Sequence, residues 1–304
     1  MKIGPQLRRD LQGYAFIAPW LIGFLLLAAG PILASLLLSF TSWTMLSAPT
    51  WVGLDNYTTM IHNDPLFYEG LYNTAYYVLF SVPLGLALAL GLAMLLNLKL
   101  KGIRLFRTIF FLPSVTNVVA VSVLWLWLFN PDFGLLNTFL GWFGIDGPLW
   151  LQSEAWSKPA LIIMSLWGIG GTMIIFLAAL QGIPPELYEA AELDGASSTR
   201  KFYHITIPMI SPAIFFNLIV GVIGSFQVFT QAFVMTGGGH PGSEGGPNNS
   251  TLFFVLYLYK KAFQDFKMGY ASSLAWVLFL VVLVFTLVQW RYSRRWVYYE
   301  AGEH

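Results

Sequence analysis

Six long apolar stretches dominate the pattern of hydrophobic and polar positions along the chain. Each is long enough for a helix of roughly 20 residues, the length that crosses a hydrocarbon core of about 30 Å. Helices are expected rather than strands, because an open strand in lipid leaves backbone N–H and C=O groups unpaired. The predicted spans are 14–40, 71–96, 108–129, 160–182, 208–235 and 270–290. The pattern therefore predicts an all-α membrane protein with about six transmembrane helices.

Four prolines lie inside these spans or near their ends: Pro19, Pro31, Pro83 and Pro113. Packing against neighbouring helices can satisfy the carbonyl groups that a proline leaves without a partner. We therefore expect kinks at these positions rather than breaks.

The composition agrees with a membrane protein and excludes several other classes. Of the 304 residues 57% are hydrophobic and 10% are charged, whereas roughly a quarter of the residues of a soluble domain are charged. The absence of cysteine excludes disulfides, thiolate metal sites and cysteine nucleophiles. A net charge of +1 does not indicate a nucleic-acid partner.

The basic residues predict the orientation, because cytoplasmic loops of membrane proteins are enriched in Lys and Arg. Twelve of them fall in one set of connections: Lys2, Arg8, Arg9, Lys99, Lys101, Arg104, Arg107, Arg200, Lys201, Arg291, Arg294 and Arg295. The other set holds four: Lys158, Lys260, Lys261 and Lys267. We therefore expect both termini and the loop 183–207 to be cytoplasmic.

The outer connections carry aromatic and apolar residues of their own. Tryptophans near the span ends fit interfacial belts: Trp43, Trp51, Trp150, Trp156, Trp290 and Trp296. Residues 130–158 and the amphipathic segment 251–268 are expected to lie along the outer interface. Residues 237–249 are rich in Gly, Pro and Asn and predict a flexible exposed loop.

The connection between the fourth and fifth spans, 183–208, is long and polar. Pro184 and Pro185 suit a helix N-terminus, and Gly195 can supply a left-handed C-terminal turn. The predicted helix has about ten residues, and isolated helices below about 12–15 residues are marginal in water. It must therefore dock on something, either a partner or the ends of this chain's own spans.

The residues of this loop resemble those of a known family. Glu189-Ala190-Ala191, followed after three residues by Gly195 and then by Ile205, Ile207 and Pro208, is similar to the EAA loop of binding-protein-dependent ABC importer permeases. The one departure is Ile207, where Leu is usual, and this exchange nearly conserves volume. The resemblance continues in 167–196, 205–219, 224–229, 235–239 and 269–276, which look like carbohydrate permeases of the maltose and glycerol-phosphate type.

The resemblance implies a type I ABC importer permease fold with an extra N-terminal helix and a cytoplasmic coupling helix. It divides the chain into a cytoplasmic N-terminus (1–13), a first helix with its outer loop (14–70), a permease core (71–290) and a cytoplasmic tail (291–304). It also implies a bacterial or archaeal inner membrane location. The partners would be a second permease, two ATP-binding cassette subunits and an extracytoplasmic substrate-binding protein.

The same resemblance assigns the ATPase contact to one set of loop residues: Glu189, Ala190, Ala191, Asp194 and Gly195. ATP and Mg would be bound by the ATPase partners, since the chain contains no phosphate-binding G-x-x-x-x-G-K-[ST] motif. We therefore expect a transport subunit that is not an enzyme.

The spans contain few charged groups, so the predicted pathway is neutral and suits a sugar, which binds through hydrogen bonds and ring stacking. Helical spacing puts Met164, Trp167, Gly168 and Gly171 on one face, and Gly221, Gly224, Ser225 and Val228 on another. Similar positions line the sugar cavity of maltose-type permeases. Gln227, Gln231, Asn117 and Tyr76 are further polar candidates, and helix–helix packing is the alternative role for all of them.

Two other functions remain open. A glycerol-phosphate importer shares these motifs, but a phosphate group favours Arg or Lys near the cavity, and the spans offer none. An ion-coupled secondary carrier normally keeps acids or bases inside its spans. The four histidines lack metal-ligand spacing, so no metal site is assigned.

Overall fold

The computed structural model of the chain describes residues 5–98, 101–237 and 245–298. Three helical segments are long and apolar enough to cross a membrane: Gln12–Leu38, Pro65–Leu96 and Met268–Ser293. Three bent pairs of helices pass the same test when each pair counts as one span. The prediction of about six transmembrane helices is confirmed.

The regular structure of the described residues is almost wholly helical. In chain order the helices are α1 (Pro5–Phe24), α2 (Gly30–Leu38), α3 (Asp55–His62), α4 (Pro65–Leu96), α5 (Ile103–Phe111), α6 (Val118–Leu128), α7 (Leu135–Gly141), α8 (Glu154–Trp167), α9 (Gly170–Gln181), α10 (Pro185–Leu193), α11 (Ser198–Lys201), α12 (Ile207–Met209), α13 (Ser211–Phe226), α14 (Thr230–Thr236), α15 (Phe254–Tyr259) and α16 (Met268–Ser293). Short 3-10 turns cover Leu112–Val115 and Pro247–Asn249, and π turns cover Leu25–Ala29, Phe202–Thr206 and Lys260–Gln264. Strands β1 (Thr41–Ser42) and β2 (Thr50–Trp51) form one antiparallel pair.

The helices fall into two compact units, of which the first contains 5–64 and 258–277. Its hairpin of β1 and β2 is fixed by Asn56, whose amide donates to the carbonyls of Ser39 and Thr41 at 2.8 and 2.9 Å. The hydroxyl of Tyr57 donates to Ser39 Oγ at 2.8 Å. At the start of α16, a Cβ on Gly269 would lie 1.9 Å from the Thr41 carbonyl oxygen, so only glycine fits there.

The second unit contains 65–257 and 278–298, and its core forms where α4, α9 and α13 pack together. Ala89 and Ala93 of α4 are fully buried against Met173 and Phe176 of α9. Small side chains let helix backbones approach closely, and van der Waals packing then stabilises the contact.

The segment 251–268 does contain a helix, α15, but the prediction that it lies along an interface is wrong for its first part, 251–257. Leu252, Phe253, Phe254, Leu256 and Tyr257 are almost completely buried. Asn73 of α4 fixes the preceding turn by donating to the Asn249 carbonyl at 2.8 Å. Residues 251–257 therefore pack inside the second unit, to which they belong. Most of the predicted flexible loop, 238–244, lies outside the described residues.

One of the four prolines marks a break rather than the predicted kink. Pro19 and Pro83 lie inside α1 and α4, and Pro31 lies in the first turn of α2. Pro113 lies in a 3-10 turn between α5 and α6, which meet at 100°. Thr116 is extended there, and Asn117 starts α6 by accepting a hydrogen bond from the Val119 N–H at 2.8 Å.

The start of α9 lies directly against the end of α5. A Cβ built on Gly170 would be 2.4 Å from the carbonyl oxygen of Phe110 and 2.8 Å from the Cα of Phe111. Both atoms belong to the backbone, so they cannot move aside as a flexible side chain would. The neighbouring Gly171 has nothing within 4 Å of its Cβ position.

We predict that Gly170→Ala destabilises the folded protein and that Gly171→Ala does not. Overpacking of a tight contact costs about 1–3 kcal/mol, so the melting temperature of the purified protein should fall by several degrees. Fluorescence-detected size-exclusion chromatography after heating measures this. Equal melting temperatures for the two variants would show that the close approach of α9 to α5 is absent.

Candidate functional site

The loop 183–208 forms the short helix that its sequence predicts. Pro184 is the N-cap residue and Pro185 begins α10, where a missing N–H costs nothing. Glu186 lies in the first turn, near the positive end of the helix dipole. The helix ends after Leu193, giving it nine residues.

Gly195 terminates α10 in the left-handed conformation, with φ of +73°. The Ala196 N–H donates to the Ala191 carbonyl at 2.9 Å, and the Gly195 N–H donates to the Glu192 carbonyl at 3.0 Å. These two bonds form a Schellman motif, which satisfies carbonyls at the helix end. The predicted C-terminal turn is confirmed, and the chain reverses direction there.

Two side-chain contacts hold α10 against the following segment. The hydroxyls of Tyr188 and Thr206 are hydrogen bonded at 2.9 Å, and Thr206 is buried. Lys201 Nζ contacts Glu192 Oε1 at 2.6 Å. Tyr188 also packs on the core cluster of α4, α9 and α13. A helix too short to persist alone is thus braced by the π turn Phe202–Thr206.

The rest of α10 faces away from its own chain. Glu189, Ala190, Asp194 and Gly195 are exposed, and Ala191 is half-buried. Leu193 is 91% exposed, and Leu187 is also exposed. The sequence left two alternatives for what α10 docks on: a partner or the ends of this chain's own spans. Contact with its own spans explains the position of Tyr188 only. Four of the five residues of the predicted contact set are therefore accessible, and the fifth, Ala191, is partly accessible.

A second feature of the site is a cavity of about 180 Å³ between α4, α8, α9 and α13, named here the Ser225 cavity. It is lined largely by neutral polar groups: Tyr77, Ser81, Ser165, Thr172, Asn217 and Ser225. Ser81 Oγ and Ser225 Oγ face each other at 3.5 Å. None of the described residues that line it is charged.

The structure brings only part of the predicted pathway set into this cavity. Three predicted residues line the cavity: Gly168, Gly221 and Ser225. Three others are exposed and do not line it: Trp167, Gly224 and Gln227. Val228 is buried elsewhere. Gly171 is half-buried and does not line it.

The assumption of continuous helical faces is wrong. α8 ends at Trp167 and α9 begins at Gly170, with a 48° bend, so Gly171 does not share a face with Met164 and Trp167. α13 ends at Phe226, which leaves Gln227 and Val228 outside the helix. A helical period holds only within one uninterrupted helix.

Sequence reasoning missed Tyr77, Ser81, Ser165, Thr172 and Asn217. The signal was available for Asn217, since it is a buried amide in an otherwise apolar run. Two polar candidates have other roles. Asn117 caps α6, and Tyr76 lies 5.5 Å from the Lys158 ammonium group.

No cluster of three or more His, Asp or Glu side chains that could hold a metal ion occurs within the part of the chain that the structure describes. The site is thus an exposed helical loop beneath a neutral polar cavity, with α9 and α13 joining the two.

Comparison with known proteins gives this arrangement a family. The model of the binding-protein-dependent transport system inner membrane component matches residues 81–297. The probable ABC transporter permease protein YesP of Bacillus subtilis (strain 168) is 44% identical over 306 residues, which cover 100% of this chain and 97% of that protein. The lactose transport system permease protein LacF of Rhizobium radiobacter is 38% identical over 291 residues, with 94% and 95% covered.

A solved structure agrees over nearly the whole length. It is the crystal structure of a bacterial alginate ABC transporter in complex with an alginate pentasaccharide-bound periplasmic protein. One of its chains is 25% identical with a TM-score of 0.81, and the match covers 95% of this chain and 96% of that one. The chain therefore belongs to the family of inner membrane components of binding-protein-dependent transport systems, and it is a multi-pass permease of the ABC importer type.

Proposed function

We propose that this permease carries a neutral sugar, a di- or oligosaccharide, into the cytoplasm, with energy from ATP hydrolysed on partner subunits. The observation that carries the proposal is the exposed side of α10, held rigidly by the Gly195 turn and the Tyr188–Thr206 hydrogen bond. The exposed apolar side chains of this ordered loop, Leu187 and Leu193, would be stabilised when a partner protein covers them. The predicted contact set Glu189, Ala190, Ala191, Asp194 and Gly195 lies on this side.

The substrate class follows from the cavity and the relatives. The Ser225 cavity offers hydroxyl and amide groups without charge, which suits the hydroxyl groups of a sugar. Of the named relatives, LacF is a lactose transport permease, and the solved structure is of a transporter for alginate, an acidic polysaccharide. The relatives therefore support a saccharide substrate, and its neutral charge is inferred from the cavity alone. A phosphate-bearing substrate would favour a cationic lining, so nothing in the cavity supports the glycerol-phosphate alternative.

The complete transporter would contain a second permease, two ATPase subunits that bind ATP and Mg, and an extracytoplasmic binding protein. The periplasmic protein in the alginate transporter structure supports the last of these. The distribution of Lys and Arg supports cytoplasmic termini and a cytoplasmic α10.

The direct test is reconstitution of the complex in lipid nanodiscs with its binding protein and a panel of sugars. We expect one or a few neutral sugars to bind the binding protein and to stimulate ATP hydrolysis. ATPase activity that no sugar-loaded binding protein changes would overturn the proposal, as would sugar uptake by this chain alone driven by a proton gradient.

Ala190→Trp should abolish docking of the ATPase, because a large ring on the exposed side of α10 prevents close approach. Ala190 is exposed in the chain, so folding should be unaffected. Co-purification of the ATPase and stimulated ATP hydrolysis measure the effect. The matched control is Arg104→Trp, an exposed position in another predicted cytoplasmic connection, which should retain both.

Tyr188→Phe should weaken coupling while the ATPase still binds. The change removes the hydrogen bond to Thr206, worth about 1 kcal/mol, and leaves the ring packed. We expect a lower ratio of sugar-stimulated to basal ATP hydrolysis. Tyr203→Phe is the control, because Tyr203 is exposed. The same ratio in both variants would show that this hydrogen bond does not transmit movement.

Ser225→Leu should block the pathway, because leucine has two more side-chain heavy atoms than serine and these narrow a cavity of only about 180 Å³. We expect uptake to fall at least about tenfold, a barrier increase of about 1.4 kcal/mol. Co-purification with the ATPase shows whether the complex still assembles. Normal uptake by an assembled Ser225→Leu complex would place the pathway elsewhere.

A further inference from the structure

A larger cavity lies at the other end of the α8–α9 span from α10, and the roles assigned above do not include it. It has a volume of about 660 Å³ and is lined by the end of α6, the segment 149–152, the end of α14 and residues 246–247. It is named here the Trp150 cavity. Small-molecule sites usually enclose about 300–1,000 Å³, so a disaccharide or trisaccharide would fit.

The lining combines aromatic rings with amide groups. Phe129 and Trp150 provide the rings, and Asn130 and Gln152 provide the amides. Gln152 is exposed, and its side chain makes no hydrogen bond within the described part of the chain. Asn130 Oδ1 accepts from the N–H groups of Asp132 and Phe133 at 2.9 and 3.2 Å, which leaves its NH₂ group to donate.

A continuous row of aromatic rings joins this cavity to the edge of the predicted pathway. The ring centroids lie 6.0 Å apart from Trp167 to Trp125, 5.0 Å from Trp125 to Phe129, 5.2 Å from Phe129 to Trp150 and 5.3 Å from Trp150 to Trp156. Trp150 is only 8% exposed, which contradicts its predicted role in an interfacial belt. Its Nε1–H instead donates to Asn137 Oδ1 at 2.7 Å.

The row contains one buried polar atom without a partner. Trp125 is buried, and its Nε1–H makes no hydrogen bond to any residue that the structure describes. Buried donors are nearly always paired, so each exception requires an explanation. Because Trp125 does not line the Trp150 cavity, this unpaired donor belongs to the aromatic row and not to the cavity itself.

We propose that the Trp150 cavity is a second sugar-binding site, which receives a neutral oligosaccharide before it reaches the Ser225 cavity. This rests on the proposed import of a sugar. Sugar faces stack on aromatic rings and sugar hydroxyls pair with amides, and the lining offers both beside the aliphatic side chains of Leu126, Leu149, Leu151 and Met235. A lipid acyl chain would leave the amides of Asn130 and Gln152 unpaired. An acidic sugar would meet no cation among the described lining residues.

The test is saturation-transfer NMR on the reconstituted complex without its binding protein, with lactose and maltotriose as probes. Irradiation of aromatic protons should transfer magnetisation to one or both sugars. Gln152→Ala removes one hydrogen-bonding group and should weaken binding about fivefold. Trp150→Leu removes the ring and should abolish the transfer.

Trp142→Ala is the matched control, because Trp142 is 77% exposed and does not line the cavity. It should bind the probes as the unchanged protein does. If Trp150→Leu fails to fold, Gln152→Ala decides alone, since the Gln152 side chain makes no hydrogen bond to the residues that the structure describes. No transfer to either sugar in the unchanged complex, or equal transfer in Gln152→Ala, would overturn the proposal.

Transport kinetics separate failure of this inference from failure of the proposed function. In a complex whose ATPase responds to a sugar-loaded binding protein, Gln152→Ala should raise the KM for uptake about fivefold and leave kcat unchanged. An unchanged KM in such a complex rejects the second site alone. A complex that no sugar-loaded binding protein stimulates rejects the proposed function itself.

Discussion

The constraint on which the rest of the structure depends is that backbone polar groups within lipid must be paired inside the protein. The chain meets it with helices, and it interrupts them only at particular places. The break between α8 and α9 borders the Ser225 cavity, and the break between α5 and α6 lies where Gly170 admits the α5 backbone. Irregular backbone is tolerated at membrane depth where it is buried or lines a cavity. The interruptions therefore mark the parts of the spans that have a role besides crossing the membrane.

The loop 183–208 obeys a different constraint, because most of its residues are exposed and its helix has only nine residues. Its stability comes from contacts at fixed positions. Gly195 closes the last turn, Tyr188 bonds to Thr206, and Lys201 pairs with Glu192. These contacts hold α10 in an ordered conformation. The residues that make none of them, such as Glu189 and Ala190, remain exposed. A surface with this property suits a partner, since little conformational entropy is lost when the partner binds.

Local chemistry explains why some of this could be predicted from sequence. Pro185 and Gly195 determine the ends of α10 through their own backbone geometry, and a span is recognised by length and hydropathy alone. The 100° bend near Pro113, the breaks at Gly168 and Gln227 and the burial of Trp150 depend on neighbours distant in sequence. Once a helix breaks, its period no longer says which side chains share a face. For this reason the ends of the loop helix were predicted correctly, whereas most of the predicted pathway residues do not line the Ser225 cavity.

The loop and the cavity are mechanically connected within this chain. α9 enters the loop and contributes Thr172 to the cavity, and α13 leaves the loop and contributes Asn217 and Ser225. Helices are stiff along their axes, and a packed core passes on displacement rather than absorbing it. A partner that moves α10 therefore moves both walls of the cavity, since Tyr188 ties α10 to the core between them. Because none of the described lining residues is Asp, Glu, Lys, Arg or His, a sugar in this cavity would be held through hydrogen bonds, which weaken steeply with small separations. A modest displacement of α9 relative to α13 would then be sufficient to release a neutral sugar.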